Sequence, residues 1–456
     1  MSGLARIYAS KGYNVSGSDR SSNTQTHDLK LAGVIVYDMH SSENLPLVDD
    51  LAVVVSTAIP ENNPELIEAK RRGLRILHRS DLLANLINSH AFSIAVAGCH
   101  GKTTVSSMLS SIFVSAGKDP TCVVGGYVNE LKGNCHTGSS DILIAEADES
   151  DGTFLKYKPT HAIITNVDND HIEHYSTLEA IIRAFESFAA NIEQEGKLYL
   201  CNDSPIARNL LLPEELDIVS YGIDIPSDYS AENITYHPFG SSFDCIHRGQ
   251  KLGTITLAVP GKHNILNALA AVSVSLDFGI SFEQITSALS VFAGAGRRFE
   301  LKGRYEGITV IDDYGHHPNE IKATLEAATT LGAERIVVVF QPHRYTRTLF
   351  LSNEFGRCFD NCDKLFITDI YPASEKPIQG VTSRIILDSM PVSNRRKVKM
   401  VKNVEDAKYL LMDYLKPGDV VFTIGAGSIT ELGHQVLESI KARNSVAPMA
   451  INAAAV

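Results

Sequence analysis

The 456-residue chain contains no CxxC pair, no basic run longer than a triplet, no low-complexity tract and no internal repeat at the roughly 20–50-residue periods of solenoids. Each absence removes a class of function. Seven cysteines (Cys99, Cys122, Cys135, Cys201, Cys245, Cys358, Cys362) are an odd number at irregular spacing, which points to reduced thiols and against a disulfide framework. Cys358 and Cys362, four apart on an expected helix, read as buried thiols. No stretch reaches the roughly 18 uncharged apolar residues of a membrane span, and Met1–Arg6 lacks the basic and apolar regions of a signal peptide. A cytoplasmic protein is expected. The formal charge is −12, from 41 basic and 53 acidic residues, and the triplets Lys70-Arg71-Arg72 and Arg395-Arg396-Lys397 stand alone. Neither nucleic acid nor a membrane is an expected partner.

What is present is an ordinary globular composition, 44% hydrophobic and 21% charged, in a chain long enough for two to four domains at roughly 100–200 residues each. Short Val/Ile-rich runs alternate with helix-period segments throughout, the pattern of parallel sheets covered by helices. The chain is therefore α/β. Residues 1–90 form a first, doubly wound unit with strands expected at Tyr13–Asp19, Val34–Asp38 and Leu51–Thr57. Residues 91–295 form a second, with strands at Phe92–Ala97, Ile142–Ala145, Ala162–Asn166 and Lys197–Cys201 and an antiparallel annex between Tyr229 and Val259. Gly294 and Gly296 are expected at a hinge. Residues 296–456 form a third, doubly wound unit whose tail, Ala447–Val456, is expected to fray.

The segment Ile94–Thr104 reads as an apolar strand ending in a glycine loop, Gly98-Cys99-His100-Gly101-Lys102-Thr103-Thr104, that opens a helix. Glycines let backbone N–H groups close on an anion, the helix N-terminus adds partial positive charge, Lys102 can reach phosphate oxygens and Thr103 can ligate Mg²⁺. The loop is two residues shorter than GxxxxGK[ST], because Val96 stands at the first glycine's position. A solvent-capping lysine in a glycine turn is the bland alternative. In a parallel sheet, ligands gather at the C-terminal strand ends, where Glu146, Asp148, Glu149 and Asp151 follow one strand and Asp168, Asp170 and His171 another. Crowded carboxylates repel unless a cation is present, so a Mg²⁺ site is expected, although each cluster alone could be a capped turn. His171 and His174 lack a cysteine partner, which disfavours zinc.

These segments, with MSGLA, SGSD, GCHGKTT, AEADESDGTFL, TNVDNDHIEHY, GKHNILNALAA, GRRFELKG, DDYGHHPNE, FQPHRYTRT and TIGAGSI in order, resemble the ATP-dependent Mur ligases of bacterial cell-wall synthesis. The resemblance implies a Rossmann-like UDP-sugar domain, a central P-loop ATPase domain with a mainly parallel sheet and small antiparallel annex, and a C-terminal Rossmann-like domain receiving an amino acid. It implies ATP and Mg²⁺ as cofactors, and UDP-N-acetylmuramate and L-alanine as the substrates joined through an acyl phosphate. Oligomeric state is left at monomer or weak dimer. By resemblance, Lys102 and Thr103 bind phosphate and metal, Glu146 and His171 hold metal, Asn267 meets adenine, and Arg297 and Arg298 approach the phosphates. Asp313 and His316 lie in the segment closing over the nucleotide, and His343, Arg344 and Arg347 face the amino acid or acyl phosphate. His263 and Asn264 are alternatively helix caps, Arg344 and Arg347 surface residues, and His316 a turn former. His343 or His171 is the expected proton acceptor for the amine.

Two departures accompany the resemblance. The family's first domain opens with a strand and a GxGG-like turn ahead of the segment matching Met1–Ala5, whereas this chain starts at that Met. The favoured expectation is an internal methionine of a longer product; the other is an incomplete sugar site and a sheet without its central strand. Cys99 stands where relatives carry a small hydroxyl residue, with its N–H expected still to serve phosphate. The alternative functions are a murein tripeptide ligase, another short-loop amide ligase, a P-loop ATPase switch, and a dinucleotide enzyme using the lone Gly425-Ala426-Gly427.

Overall fold

The structure is a computed structural model and describes residues 1–20 and 23–445. The expected frayed tail, Ala447–Val456, lies outside the described residues. In the first unit, strands β1 (Ser16–Ser18) and β2 (Ile35–Tyr37) pair in parallel, as do β3 (Ala52–Val55) and β4 (Arg75–His78). Among the described residues the two pairs are not joined, so the single doubly wound sheet expected here is two short sheets. Strands of three or four residues offer few ladder bonds and bury little, which is also why β4 escaped a reading by periodicity. The unit is anchored instead by its helices. Leu4 and Ile7 of helix Ser2–Ser10, with Leu83, Leu86 and Ile87 of helix Arg79–Ser89, are spaced three and four apart and pack into one cluster with Ala95, Ala97, Leu143 and Ala145 of the next sheet.

The second unit is a ten-stranded sheet built from β5 (Phe92–Ala97), β6 (Thr121–Val128), β7 (Gly133–His136), β8 (Ile142–Glu146), β9 (His161–Ile164), β10 (Lys197–Cys201), β11 (Asp217–Gly222), β12 (Tyr229–His237), β13 (Gly240–His247) and β14 (Gln250–Leu257). Their order is β14-β13-β12-β11-β10-β9-β5-β8-β6-β7. The antiparallel annex is thus continuous with the parallel sheet, through Tyr221 opposite Tyr229 and Gly222 opposite Ser230. β5 runs centrally between β8 and β9, and its residues alternate faces. Ile94 and Val96 join the core formed by helices Lys102–Ser115 and Lys262–Asp277, while Ala95 and Ala97 join the opposite one. That double burial holds the strand's C-terminal end, and hence the glycine loop, in place.

The third unit has β15 (Glu300–Tyr305), β16 (Ile308–Asp313), β17 (Arg335–Phe340), β18 (Lys364–Ile367), β19 (Val398–Met400) and β20 (Asp419–Ile424), ordered β15-β16-β20-β17-β18-β19. All pairs are parallel except the β15 edge. At the junction Gly294 takes a left-handed φ of 92°, while Gly296 is tied by its N–H to Tyr127 O (2.9 Å). The seven cysteines are free and buried, and no helix of the described residues is long and apolar enough to cross a membrane.

His161 opens β9 with its ring 4.8 Å from that of Phe278. Burial lowers its pKa from 6.5 to about 4, so the folded state resists a proton that the unfolded chain accepts. The stability held by neutral His161 is complete above pH 6.5 and is lost as pH falls toward 4. In urea titrations, wild type should lose stability relative to His161→Phe across that window, with a flat difference above it; a pH-independent difference would contradict the assignment.

Candidate active site

After Ala97 the chain turns through Gly98 (φ 131°) and Gly101 (φ 86°) into the helix Lys102–Ser115. Neither position accepts a side chain. A Cβ on Gly98 would lie 2.0 Å from Thr165 Oγ1, and one on Gly101 2.7 Å from Asn267 Oδ1. The loop is held from below by the end of β9. The Cys99 N–H donates to Asn166 O (3.2 Å) and the His100 N–H to Asn166 Oδ1 (2.9 Å), while His100 O accepts from Thr165 Oγ1 (2.6 Å) and Asn166 Nδ2 (2.9 Å). The backbone N–H of Cys99, expected to serve phosphate, is therefore committed inside the protein. The donors left for an anion are those of the helix's first turn, which Gly101 does not cap with a side chain.

Lys102 Nζ donates to Glu149 Oε1 (2.9 Å) and Gly98 O (2.7 Å). Thr103 Oγ1 donates to Glu146 Oε2 (2.9 Å), which also accepts from the Gly125 N–H (2.9 Å). His171 Nε2 stands 3.2 Å from the fully buried Glu149. Burial acts to lower the Lys102 pKa, but Glu149, Asp148 and Glu146 outweigh it and hold the ammonium above its ordinary value. Burial likewise disfavours the His171 imidazolium, yet Glu149 and Glu173 bring its pKa up to about 9. Glu146 is the exception: burial raises its pKa despite Lys102 and Thr103.

Above the loop lies a cavity of about 240 Å³. Its polar side is lined by His100, Gly101, Thr103 and Thr104, and its apolar side by Tyr221, Val259, Leu266 and Phe299. The helix Lys262–Asp277 contributes His263, Asn264 and Asn267 to the lining. Its N-cap is Gly261, with no side-chain cap; Asn264 Nδ2 donates to Pro260 O (2.7 Å) and receives Asn267 Nδ2 (3.2 Å) on its Oδ1. From the third unit come Arg298, Asp313 and Glu320. Asp313 is pushed up to about 6 by burial, against Arg298 and the N–H groups of Phe299 and Gly315. An uncapped helix start, a cradle closed to any Cβ and an adjoining apolar wall fit a nucleoside triphosphate. The Thr103 hydroxyl and the Glu146 carboxylate, already touching, form an all-oxygen pair suited to Mg²⁺, which would supply the positive charge Glu146 lacks.

Residues 1–91 match the Mur ligase family catalytic domain, residues 96–275 the Mur ligase middle domain, and residues 297–427 the Mur ligase glutamate ligase domain. The chain belongs to the Mur ligase family. It is 45% identical to the UDP-N-acetylmuramate–L-alanine ligase of Pelotomaculum thermopropionicum over 98% of this chain and 96% of that one. It is 42% identical to the enzyme of the same name from Syntrophus aciditrophicus, over 97% and 91% of the two chains. Among solved structures, UDP-N-acetylmuramate-alanine ligase from Thermotoga maritima superposes with a TM-score of 0.81 at 27% identity, over 97% of each chain.

In this Mur ligase the third unit reaches the turn 168–173 of the middle one. Buried Arg347 donates to Asp170 Oδ1 (2.9 Å), and Arg344 pairs with Glu173. His343 stacks on Tyr371 with ring centroids 5.7 Å apart, and burial with Arg347 and Arg344 lowers its pKa to about 4. His316, lowered by burial to about 3, faces Tyr314 O and the His343 ring and does not line the cavity. Arg297 is also set apart from it: Nε donates to buried Asp312 (2.8 Å) and Nη2 to Gly425 O (2.7 Å), bracing the junction. His100, Asp168 and His317 bring ligand-type atoms within 4.8 Å of one another. Asp168 already accepts from His100 Nε2 (3.1 Å) and Asn319, so the cluster is an ion network.

Sequence reasoning passed over Thr165, Asn166 and Glu320, although all three sit in or beside quoted segments; their polarity was visible but not what they grip. Arg79, which pairs with Asp148 (2.8 Å), and Thr57, which donates to Asp151 (3.0 Å), carry no local signal at all. These two contacts tie the first unit to the acidic turn. Because Gly101→Ala must push the loop off Asn267, it should weaken ADP binding more than ~10-fold in calorimetry, and unchanged affinity would refute the cradle.

Proposed function

We propose that the chain is the ATP-dependent ligase that joins L-alanine to the carboxylate of UDP-N-acetylmuramate, releasing ADP and phosphate. The relatives sharing this name at 42–45% identity over nearly the full chain support the substrates. The observation carrying the chemistry is that Thr103, hydrogen-bonded to Glu146 and next to Lys102 in the chain, lines one cavity together with Arg298, Asp313 and Glu320 of the third unit.

A carboxylate does not acylate an amine at neutral pH, because its leaving group would be oxide. Bound ATP supplies the phosphoryl group that makes that oxygen a leaving group, and Mg²⁺, held by Thr103 and Glu146, would offset charge. Bringing two anions together is the main obstacle: unit like charges about 4 Å apart repel by ~4 kcal/mol at an effective dielectric of 20. The ammonium of Lys102 and the guanidinium of Arg298 lie where that repulsion would arise, with the Lys102 ammonium exchanging Glu149 and Gly98 O for phosphate oxygens. No side chain need form a covalent bond. Asn267 and the Tyr221–Leu266 wall are assigned to the base, and Gly98, Gly101 and Thr104 to the phosphates. His171, paired with Glu149 at 3.2 Å, would hold a metal only as the neutral imidazole, released from that pair. Of the two proposed amine bases, His343 is the one held neutral, whereas His171 is held protonated. Arg344 and Arg347 then hold the 168–173 turn against the alanine side of the cleft.

Lys102→Ala should lower amide formation at least ~10²-fold with the fold retained, and should lower the unfolding midpoint because buried Glu149 loses its ammonium partner. Product analysis by mass, with L-alanine, glycine, L-serine and a murein tripeptide offered in parallel, checks both halves of the proposal. Near-normal turnover of the variant would remove Lys102 from the mechanism, and a tripeptide product in place of the alanyl one would overturn the substrate.

A further inference from the structure

His100 is the residue of the phosphate loop whose side chain meets both the middle and the third unit as a charged group. Its backbone is fixed from below by Thr165 and Asn166, so the loop and the ring move as one body. From that position Nε2 lies 3.1 Å from Asp168 Oδ2, on the loop after β9, and the buried Nδ1, which makes no hydrogen bond, lies at an ion-pair distance of 3.4 Å from Glu320 Oε1, on the third unit's helix Pro318–Ala328. The ring also packs on that of His317, centroids 4.7 Å apart.

Glu320 is itself tightly placed. Its Oε2 accepts the N–H groups of His316 (3.0 Å) and His317 (3.2 Å), closing the helix's capping box, and its Oε1 faces Arg298 Nη1 at 3.3 Å. Asp168 receives Asn319 from the same helix. Without a cation between them, Asp168 and Glu320 would put two carboxylates against each other across the junction of two units. The groups facing His100 are thus Asp168, Glu320 and His317, with Arg298 behind Glu320. Burial opposes its imidazolium, but the two carboxylates raise its pKa to about 9, so the bridge is charged at neutral pH.

We infer that His100 is a positioning residue that latches the third unit onto the phosphate loop, its ring bridging Asp168 and Glu320 so that the alanine side of the cleft is brought over the loop. The inference rests on the ligase reading for its catalytic consequence, but not for the closure itself. The latch acts first on domain position; because His100, Glu320 and Arg298 also line the cavity, nucleotide affinity falls with it, while the first-turn N–H groups and Lys102 remain in place.

The test uses the full chain with a nonhydrolysable ATP analogue, and compares wild type, His100→Gln, Glu320→Gln and the double variant; glutamine at 320 retains an oxygen for the capping box. Closure is followed by small-angle scattering, analogue binding by calorimetry, and amide formation by mass. The expectation is a more extended particle for each single variant, retained but weakened analogue binding, and kcat at saturating ATP lowered at least ~10-fold. The double variant should be no worse than the poorer single by more than about twofold, since both changes cut one link. His100→Lys, which keeps a cation, should recover part of the closure. Wild-type compactness in His100→Gln, or fully additive losses in the double variant, would overturn the latch. Absence of amide product from wild type would instead strike the ligase reading and leave the scattering result to decide the closure.

Discussion

The structure turns on the pairing of buried and half-buried carboxylates with a small number of cations at one end of the central sheet. Glu146 ends β8, and Asp148, Glu149, Asp168 and Asp170 follow β8 or β9, the strands flanking β5; each has a partner: Thr103 and the Gly125 N–H, Arg79, Lys102 with His171, His100, and Arg347. In a low-dielectric setting an unpaired member would cost several kcal/mol, so removing one cation commits its neighbours to rearrange. The least compensated is Glu146, and it is the one touching the hydroxyl at the helix start.

The same pairings join the three units. Asp148 and Asp151 receive Arg79 and Thr57 from the first unit, and Asp168, Asp170 and Glu173 receive Asn319, Arg347 and Arg344 from the third. Each of these acids lies within a few residues of a phosphate-loop contact. These polar contacts join the outer units to the acidic turns beside the loop, in addition to the apolar packing of the first unit on β5 and β8.

The α/β class, the glycine loop and the acidic turns were legible because each is written in a short contiguous stretch: strand, Gly98 to Thr104, helix; strand, then Glu146 to Asp151. Periodicity also located most long strands. It missed β4, β7, β15 and β19, which are short or at an edge, where burial is too slight to leave a pattern, and also the interior strands β6 and β11, whose apolar runs are broken by Gly125-Gly126 and by Ser220. It also suggested one sheet in the first unit, since strand pairing depends on edges meeting in space. The pair Arg297-Arg298 shows the limit most plainly. Two identical adjacent residues carry one expectation, yet one guanidinium is spent on Asp312 and Gly425 while its neighbour lines the cavity.

The amino-acid sequence by itself determined which chemical groups exist at which strand ends, and hence an anion-binding loop with carboxylates beside it, because helix start, glycine conformation and strand burial are local properties. Only the tertiary structure decided which of those groups are free to meet a ligand. Cys99 N–H and His171 are occupied by Asn166 and Glu149, residues 67 and 22 positions away, and a partner's occupancy is a matter of distance in space.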